Sequence, residues 1–524
     1  MDDATKALIV LGLVVALFMW NKLPVGGVAI LAALTLWATG LVTTEQAVGG
    51  FGDPVVIFIA TLFVVSEGID STGVTTWAGR RLIDRAGTER TRVLTAICLL
   101  SALLTSLITL NGAVAALLPL VVLLGQRIGT PPSQLLMPVA FAGSAGGLLM
   151  LMSSPVNVIV SDAAAESGEG PFSFFSFSLV GIPLLLGTVA ICLLFGRRLL
   201  PTRMPDYMPP DLGRYAEMVS SHYNVGGAIG EQAPALITRE AGVAEVVVPP
   251  RSRLVGERVH AGMHREHDLV ILAVQRLGRD LGDEPVQVAE GDALLLHGRW
   301  SELDALSRDR DVLLVDSPEL VRRQAVPWGA KATRAVVVLA ALVGMLASGQ
   351  VPPAIAGLAA AVAMVLLRVV TATQAYRAVS WQTVVLVGAL IPLSTAISTS
   401  GAADQVASLL IDAVGTGRPY LLLVAVFLLT AALGQVVSNT ATVLVVVPIA
   451  VAAAEATGTS VKPLLMVVAI AGCAALLTPI ATPGNMMIMT PAGYRFGDYW
   501  RLGLPVMAWW FVVAVAVVPL GWGL

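Results

Sequence analysis

The sequence predicts an all-α polytopic membrane protein: an inverted repeat carrying two re-entrant helical hairpins, with a small α+β domain inserted between the copies. Three observations predict it. Of 524 residues, 56% are hydrophobic and only 13% charged, against roughly a quarter charged in soluble domains. Apolar runs long enough to cross a bilayer recur at both ends of the chain. The two apolar regions also match each other segment by segment. A formal net charge of −3 leaves no basic footprint for nucleic acid.

The N-terminal stretch MDDATKALIVLGLVVALFMW lacks a basic n-region and a small-residue cleavage site, so it reads as a retained first span. KLPVGGVAILAALTLWATGLVTTEQA from Lys22 then lines up with QVPPAIAGLAAAVAMVLLRVVTATQA from Gln350. SEGIDSTG (Ser66 to Gly73) answers STAISTSG (Ser394 to Gly401), and PLVVLLGQRIGTPPSQLLMPVAFAGSA from Pro119 matches PIAVAAAEATGTSVKPLLMVVAIAGCA from Pro448 without a gap. Pro155-Val156-Asn157 pairs with Pro483-Gly484-Asn485. A duplicated unit explains this punctuation better than chance likeness of Leu/Val/Ala-rich segments. The first copy is assigned 1–200, the insert 201–325 and the second copy 326–524.

Basic residues set the orientation. In the first copy they gather at Lys22, Arg80 to Arg92, Arg127 and Arg197 to Arg203, whereas 43–54 and 160–175 hold Glu45, Asp53, Asp162, Glu166 and Glu169 and no Lys or Arg. Basic stretches placed inside put the N-terminus outside and make 93–128 a hairpin entered from the cytoplasm, broken near Leu110-Asn111-Gly112. The second copy starts inside, at Arg322, Arg323, Lys331 and Arg334, and Arg368, Arg377, Arg495 and Arg501 also fall inside. Its hairpin, 420–456, broken at Ser438-Asn439-Thr440, is entered from outside. Arg418 and Lys462 are exceptions. Antiparallel copies with opposed hairpins are the pattern of an inverted-repeat secondary transporter.

A hairpin that turns at half-depth frees backbone groups, tolerated only where they are buried in protein or line a cavity. Half-helix N-termini favour an anion there, and turn carbonyls with Ser, Thr and Asn oxygens suit a small hard cation. The candidate site residues are therefore the two tips, Thr109, Asn111 and Gly112 with Ser438, Asn439, Thr440 and Thr442. To these are added the Pro-interrupted spans that follow, Ser153, Ser154, Pro155 and Asn157 with Thr482, Pro483, Gly484 and Asn485. Such stretches also serve simply to pack helices.

The Ser-Asn-Thr tip, the Thr-Pro-x-Asn break and the halved architecture resemble the divalent anion/sodium symporter family of the ion transporter superfamily, over nearly all of 1–200 and 330–524. The resemblance implies Na⁺-coupled uptake of sulfate or di- and tricarboxylates across the plasma membrane by an elevator-like movement, in a homodimer. Na⁺ is then the coupling ion, with no further cofactor. Ser438, Asn439, Thr440, Thr482, Pro483 and Asn485 would contact sodium and substrate. The first copy departs from the pattern: aligned from Pro119, Leu110 takes the Asn position and Asn111 the Thr position. Leu cannot ligate a cation. Either a one-residue shift lets Asn111 serve, or one of the two ion sites implied by the family is weakened.

Glu67 and Asp70 close the span that begins near Pro54. Ionisable groups inside membranes are functional by default, which would give them a proton-linked role; alternatively the span ends early and both reach cytoplasmic water. Cys98, Cys192 and Cys473 are isolated in apolar segments and read as small core residues. All five histidines lie between the apolar regions, so no membrane segment can use an imidazole relay.

The insert has Pro-rich ends (PTRMPDYMPPDLGR), and AEVVVPP, DLVILAVQR and DALLLHG read as strands with turns at Gly278 and Gly291-Asp292 and a closing helix SELDALSRD. Glu245 to Pro249, Ser252, Gly256 and Glu290-Gly291-Asp292 resemble the C-terminal type of domain that regulates potassium conductance, over about 241–316. The resemblance implies a cytoplasmic ligand-sensing or dimer-forming module. No G-x-G-x-x-G follows a strand, as a nucleotide-binding partner would need. His260, His264 and His267 are spaced to gather a metal on one helix face, though a solvated face is favoured because no acidic or Cys ligand converges.

Three functions compete: a Na⁺-coupled anion symporter, a regulated channel or ion exchanger, and a metalloid or proton/cation antiporter using intramembrane carboxylates. The broken hairpins favour the first. No nucleophile–base pair or metal triad points to an enzyme.

Overall fold

The motifs that match between the copies also set the helix ends. In both, Thr and Gln three residues apart form a reciprocal capping box: Gln46 N donates to Thr43 Oγ1 at 3.2 Å and Thr43 N to Gln46 Oε1 at 2.9 Å, and Thr371 and Gln374 repeat this at 3.2 and 2.9 Å. In both, the long second hairpin arm stops at a glycine in the left-handed region, Gly129 (φ 63°) and Gly458 (φ 65°). Thr130 N and Thr459 N then donate back to Gly125 O at 2.8 Å and Ala454 O at 3.0 Å. This is the physical content of the shared Gly-Thr.

The computed structural model describes residues 2–203, 241–314 and 330–523. Excepted are 21, 76, 79–80, 82–86, 88, 261, 266–268, 277–278, 282–283, 300–301, 304–305, 307–310 and 416–417. Arg80, His222, His267, Gly278, Arg322, Arg323, most of SELDALSRD and the expected linkers around the insert lie outside the described residues.

The first copy runs α1 (Asp3–Trp20), α2 (Val25–Ala38), α3 (Thr44–Gly49), α4 (Pro54–Asp70), hairpin arms α5 (Arg90–Leu107) and α6 (Leu110–Arg127), α7 (Leu136–Gly146), α8 (Pro155–Glu166) and α9 (Ser178–Leu199). The second runs α10 (Ala330–Ser348), α11 (Pro353–Leu366), α12 (Ala372–Ala378), α13 (Trp381–Thr399), α14 (Ala402–Val414), arms α15 (Pro419–Gly434) and α16 (Asn439–Thr457), α17 (Val461–Cys473), α18 (Pro483–Met489) and α19 (Tyr499–Ala516), closed by α20 (Val518–Trp522). Among the described residues, eight helical segments are long and apolar enough to cross a membrane.

The copies interlock by exchange. α2 packs on α13 and α11 on α4; α6 packs on α18, and α16 on α8. Cross-copy hydrogen bonds at the two ends show that the hairpins enter from opposite sides. After α8, Glu169 accepts from Val461 N at 2.6 Å, Lys462 N at 3.2 Å and the Ser460 hydroxyl at 2.8 Å, at the base of the second hairpin. After α18, the Tyr494 hydroxyl donates to Ser133 O and accepts from Met137 N at 3.1 Å, at the base of the first hairpin. Both α8 and α18 start beside the tips, so each runs from mid-depth to the base of the other copy's hairpin. The inverted repeat with two re-entrant hairpins is thereby established.

Two sequence expectations need correction. The unwound turns fall earlier than Leu110-Asn111-Gly112 and Ser438-Asn439-Thr440: the first arms end at Leu107 and Gly434, and the second arms already begin at Leu110 and Asn439. Thr109 and Ser438 stand at the helix-start position; the Thr109 hydroxyl caps Gly112 N at 3.2 Å, whereas the Ser438 hydroxyl makes no capping bond. Asn111, Gly112, Thr440 and Thr442 therefore lie in first turns of helices. Second, His264 lies in a two-residue strand, not on a helix face, because Gly262 (φ 83°) turns the chain immediately before it.

The intervening stretch forms its own unit, an antiparallel sheet built from β1 (Ala241–Val247), β2 (His264–Arg265), β3 (Leu269–Arg276), β4 (Arg279–Asp280), β5 (Ala293–Arg299) and β6 (Leu313–Leu314), in the order β2-β3-β5-β1-β6 with β4 also paired to β3. Alternating residues such as Val246, Ile271 and Leu294 are fully buried. In the Glu290-Gly291-Asp292 turn, Gly291 takes φ 81°. Asp292 then accepts from Arg276 Nε at 2.8 Å, Arg276 Nη2 at 2.9 Å and Ala289 N at 2.7 Å.

Candidate functional site

Breaking a helix inside a membrane strands its carbonyls, and each copy meets that cost with one asparagine. Asn157 Nδ2 spans the first break, donating to Gly147 O and Met150 O, both at 2.8 Å. Asn485 Nδ2 does the same in the second, to Ala475 O at 2.9 Å and Thr478 O at 3.2 Å. With both amide hydrogens used, each side chain is fixed with its Oδ1 free, and both Oδ1 atoms are buried without a hydrogen-bond partner. Ser154 and Thr482 start the helices beyond, accepting from Val156 N and Asn485 N at 3.3 Å each.

The tips meet these breaks around one cavity of about 440 Å³. The first copy contributes Thr109, Asn111, Ser153, Ser154 and Pro155, and the second contributes Ser438, Asn439, Thr440, Thr482 and Pro483. A Cβ on Gly484 would stand 3.3 Å from Leu110 Cγ and 3.6 Å from Asn111 Oδ1, so this glycine lets the first tip approach the second break. Asn157, Thr442 and Asn485 lie just behind the wall, each at most 1% exposed. Gly112 follows the tip, its N–H donating to Thr109 Oγ1 at 3.2 Å. The structure thus brings the residues expected from sequence to one place.

It also adds residues that the sequence reading missed. Thr105, Gly143, Ser144 and Cys473 line the cavity; Cys473 is a wall residue as well as a buried one. Ser380, Gln382 and Thr383, around the start of α13, also line the cavity, and a polar triplet at the mouth of an apolar span was the available signal. Gln435 ties the second tip to its break: its Nε2 donates to Ala474 O at 2.9 Å, its Oε1 accepts from Leu477 N at 2.9 Å, and its carbonyl accepts from the Thr478 hydroxyl at 2.8 Å. Tyr499 OH holds the Asn485 carbonyl at 2.6 Å. Glu67 and Asp70 lie half-buried in the last turns of α4, and the cavity takes Phe63 from that helix instead.

Among the described residues, no Lys, Arg, His, Asp or Glu lines this cavity. Its polarity comes from neutral oxygens, amides and helix starts at Leu110, Pro155 and Asn439. Six buried side-chain oxygens in and behind its wall have no protein partner: Thr105 Oγ1, Asn157 Oδ1, Ser438 Oγ, Asn439 Oδ1, Thr442 Oγ1 and Asn485 Oδ1. Native interiors rarely leave such groups unpaired unless something else binds them.

An uncharged, oxygen-lined cavity between two opposed hairpins in an inverted repeat defines a membrane transporter. The chain belongs to the citrate transporter family, whose model matches residues 15–443 and 413–522. This bears out the resemblance to divalent anion/sodium symporters. The uncharacterized transporter YfbS of Escherichia coli K12 is 26% identical over 97% of this chain and 98% of its own length. Sodium/sulfate cotransporter 1 of Chlamydomonas reinhardtii is 24% identical over 55% of this chain and 30% of its own. In fold, the chain is similar to the crystal structure of the Alcanivorax borkumensis YdaH transporter, with a TM-score of 0.51, 15% identity and coverage of 97% and 99% of the two chains.

Proposed function

We propose that this protein is a Na⁺-coupled symporter of a small oxyanion, sulfate or a di- or tricarboxylate, working in the cell membrane by an elevator-like movement. The observation that carries the reading is the cavity: helix N-termini for an anion beside unpartnered neutral oxygens for a hard cation, with no charged side chain among the described residues that line it. Its volume of about 440 Å³ falls within the span of small-molecule sites. Sodium/sulfate cotransporters among the relatives support the choice of ion and anion class. The site residues act as neutral ligands, with Ser438, Asn439 and Thr442 facing the cation and the tips and breaks enclosing the oxyanion.

The cavity lining includes Val25, Ala378 and Ser380, which lie within three residues of Lys22 or Arg377 in sequence, and the positive-inside rule places those two in the cytoplasm. We therefore assign this conformation as inward-facing. Uptake into proteoliposomes, comparing sulfate, succinate and citrate with and without an inward Na⁺ gradient, tests the function. Accumulation of one of them only with Na⁺ supports it, and equal flux without Na⁺ overturns the coupling.

One observation favours a second reading. Asp53, Asp162 and Glu166 line a separate cavity of about 100 Å³, which offers carboxylates for proton coupling. Uptake driven by a pH gradient with choline replacing Na⁺ would select it. For the insert, we propose a cytoplasmic module of the potassium-conductance-regulating type that senses a small ligand or joins two copies in a homodimer; its Glu-Gly-Asp turn supports that assignment.

A further inference from the structure

The two copies are equal in fold and unequal in oxygen. At the second hairpin, Ser438 Oγ, Asn439 Oδ1 and Thr442 Oγ1 are buried without a partner, and Asn485 Oδ1 in the following break is a fourth. Thr442 and Asn485 are each 1% exposed. Because α6 starts at Leu110 and α16 at Asn439, the copies stay in the register of the ungapped alignment, and the one-residue shift that would rescue Asn111 does not occur. The first-hairpin counterparts of Ser438, Asn439 and Thr442 are therefore Thr109, Leu110 and Ala113.

None of the three is a free oxygen. Thr109 Oγ1 already accepts from Gly112 N at 3.2 Å. Leu110 is hydrocarbon and packs between Gly143 and Gly484, its Cδ1 only 2.8 Å from where a Cβ on Gly143 would stand. Ala113 is fully buried and has no polar side-chain atom. Nearby, the Ser106 hydroxyl donates to Leu103 O at 2.8 Å and the Ser153 hydroxyl to Ser106 O at 3.0 Å, which leaves Thr105 Oγ1 and Asn157 Oδ1 as the first copy's unpartnered buried oxygens around the cavity, against four in the second. A hard cation stripped of water needs several oxygens at once, and two of the equivalent positions here are apolar.

Resting on the sodium-coupled reading above, we propose that this chain holds a single sodium ion, at the second hairpin, and that Leu110 and Ala113 leave the equivalent position of the first hairpin with too few oxygens to hold another. The copies then divide their work. The second fixes the coupling ion, and the first closes the cavity through Leu110 against Gly484.

The test is a Na⁺ titration of the purified full-length protein, with choline at constant ionic strength as control, read by intrinsic Trp fluorescence and by unfolding temperature. The expected Hill coefficient is about 1, since cooperativity cannot exceed the number of sites. Asn439→Leu with Thr442→Ala rewrites the second tip as the first and should raise the half-saturating Na⁺ concentration by about tenfold or more, the scale of losing a charge-assisted ligand. Thr442→Val, of equal shape, serves where the double variant does not fold. Leu110→Ala should leave the Na⁺ midpoint within about twofold, because it removes no ligand. Leu110→Asn with Ala113→Ser should add a second binding phase. A wild-type Hill coefficient approaching two, or a Leu110→Ala shift as large as that of Asn439→Leu, would overturn the proposal. Substrate binding that persists with no Na⁺ response at all would instead remove the sodium reading on which it rests.

Discussion

Replacing Asn485 by Ala separates the two jobs assigned to this side chain. The amide hydrogens bridge Ala475 O at 2.9 Å and Thr478 O at 3.2 Å across the break, at a residue 1% exposed. Two buried hydrogen bonds contribute about 0.5–1.5 kcal/mol each, and carbonyls left unpaired at this depth add to the loss, giving about 2–4 kcal/mol. At about 2–4 °C per kcal/mol for a large domain, the unfolding temperature should fall by about 4–16 °C. Asn157→Ala should cost the same, because its bonds to Gly147 O and Met150 O, both 2.8 Å, are equivalent. Asn439→Ala is the contrast: its Oδ1 has no protein partner, so without ligand the loss should stay below about 0.5 kcal/mol while uptake is abolished. Thermal unfolding in detergent and uptake by the same preparations in proteoliposomes measure both. An Asn485→Ala protein as stable as wild type, or an Asn439→Ala protein that transports normally, would refute the division into bridging hydrogens and ligand oxygens.

Three further outcomes are expected. Gly181→Ala and Gly503→Ala would each drive a Cβ into a backbone carbonyl, of Leu148 and Leu476 respectively, and should destabilise by about 1–3 kcal/mol each in unfolding assays. Asp498→Asn should loosen the chain after α9, because Arg203 Nη1 pairs with Asp498 Oδ2 at 2.7 Å and with Gly493 O at 2.9 Å; limited proteolysis beyond residue 203 should accelerate about tenfold for a loss near 1.4 kcal/mol. Acid should act through two carboxyls. Burial pushes Glu169 up, but the N–H of Val461, the Ser460 hydroxyl and the N–H of Lys462 hold it below its ordinary 4.5; burial likewise pushes Asp292 up, but Arg276 and the Ala289 N–H hold it below 3.8. The stability that each contributes is complete above the ordinary value and is lost as pH falls through the lower folded-state value. The unfolding temperature should therefore hold to about pH 5 and fall below about pH 4, and Glu169→Gln or Asp292→Asn should flatten that acid limb.

The sequence by itself determined the class, the duplication, the opposed hairpins and most of the candidate site, because these follow from local rules. Apolar length, the polar tips near Leu110 and Ser438, the shared Gly-Thr at 129–130 and 458–459, and Pro155 and Pro483 at breaks are all written within a few residues of where they act. The orientation expected from the positive-inside rule rests on equally local features, the arginines and lysines beside the spans. What the tertiary structure alone decided is which polar groups are occupied and which are free. Asn157 and Asn485 look alike to any neighbouring residue, yet their amide hydrogens are used by carbonyls seven and ten positions back, which fixes where the oxygens are presented. Gln435 and Tyr499 were not legible, because their partners come from segments 14 to 43 residues away. Leu110 is the sharpest case. Its alignment could be read with or without a shift, and only the start of α6, with the approach of Gly484 from more than 300 residues away, fixes it as packing. Hydrogen bonding is a property of what folding brings near, and no local pattern carries it.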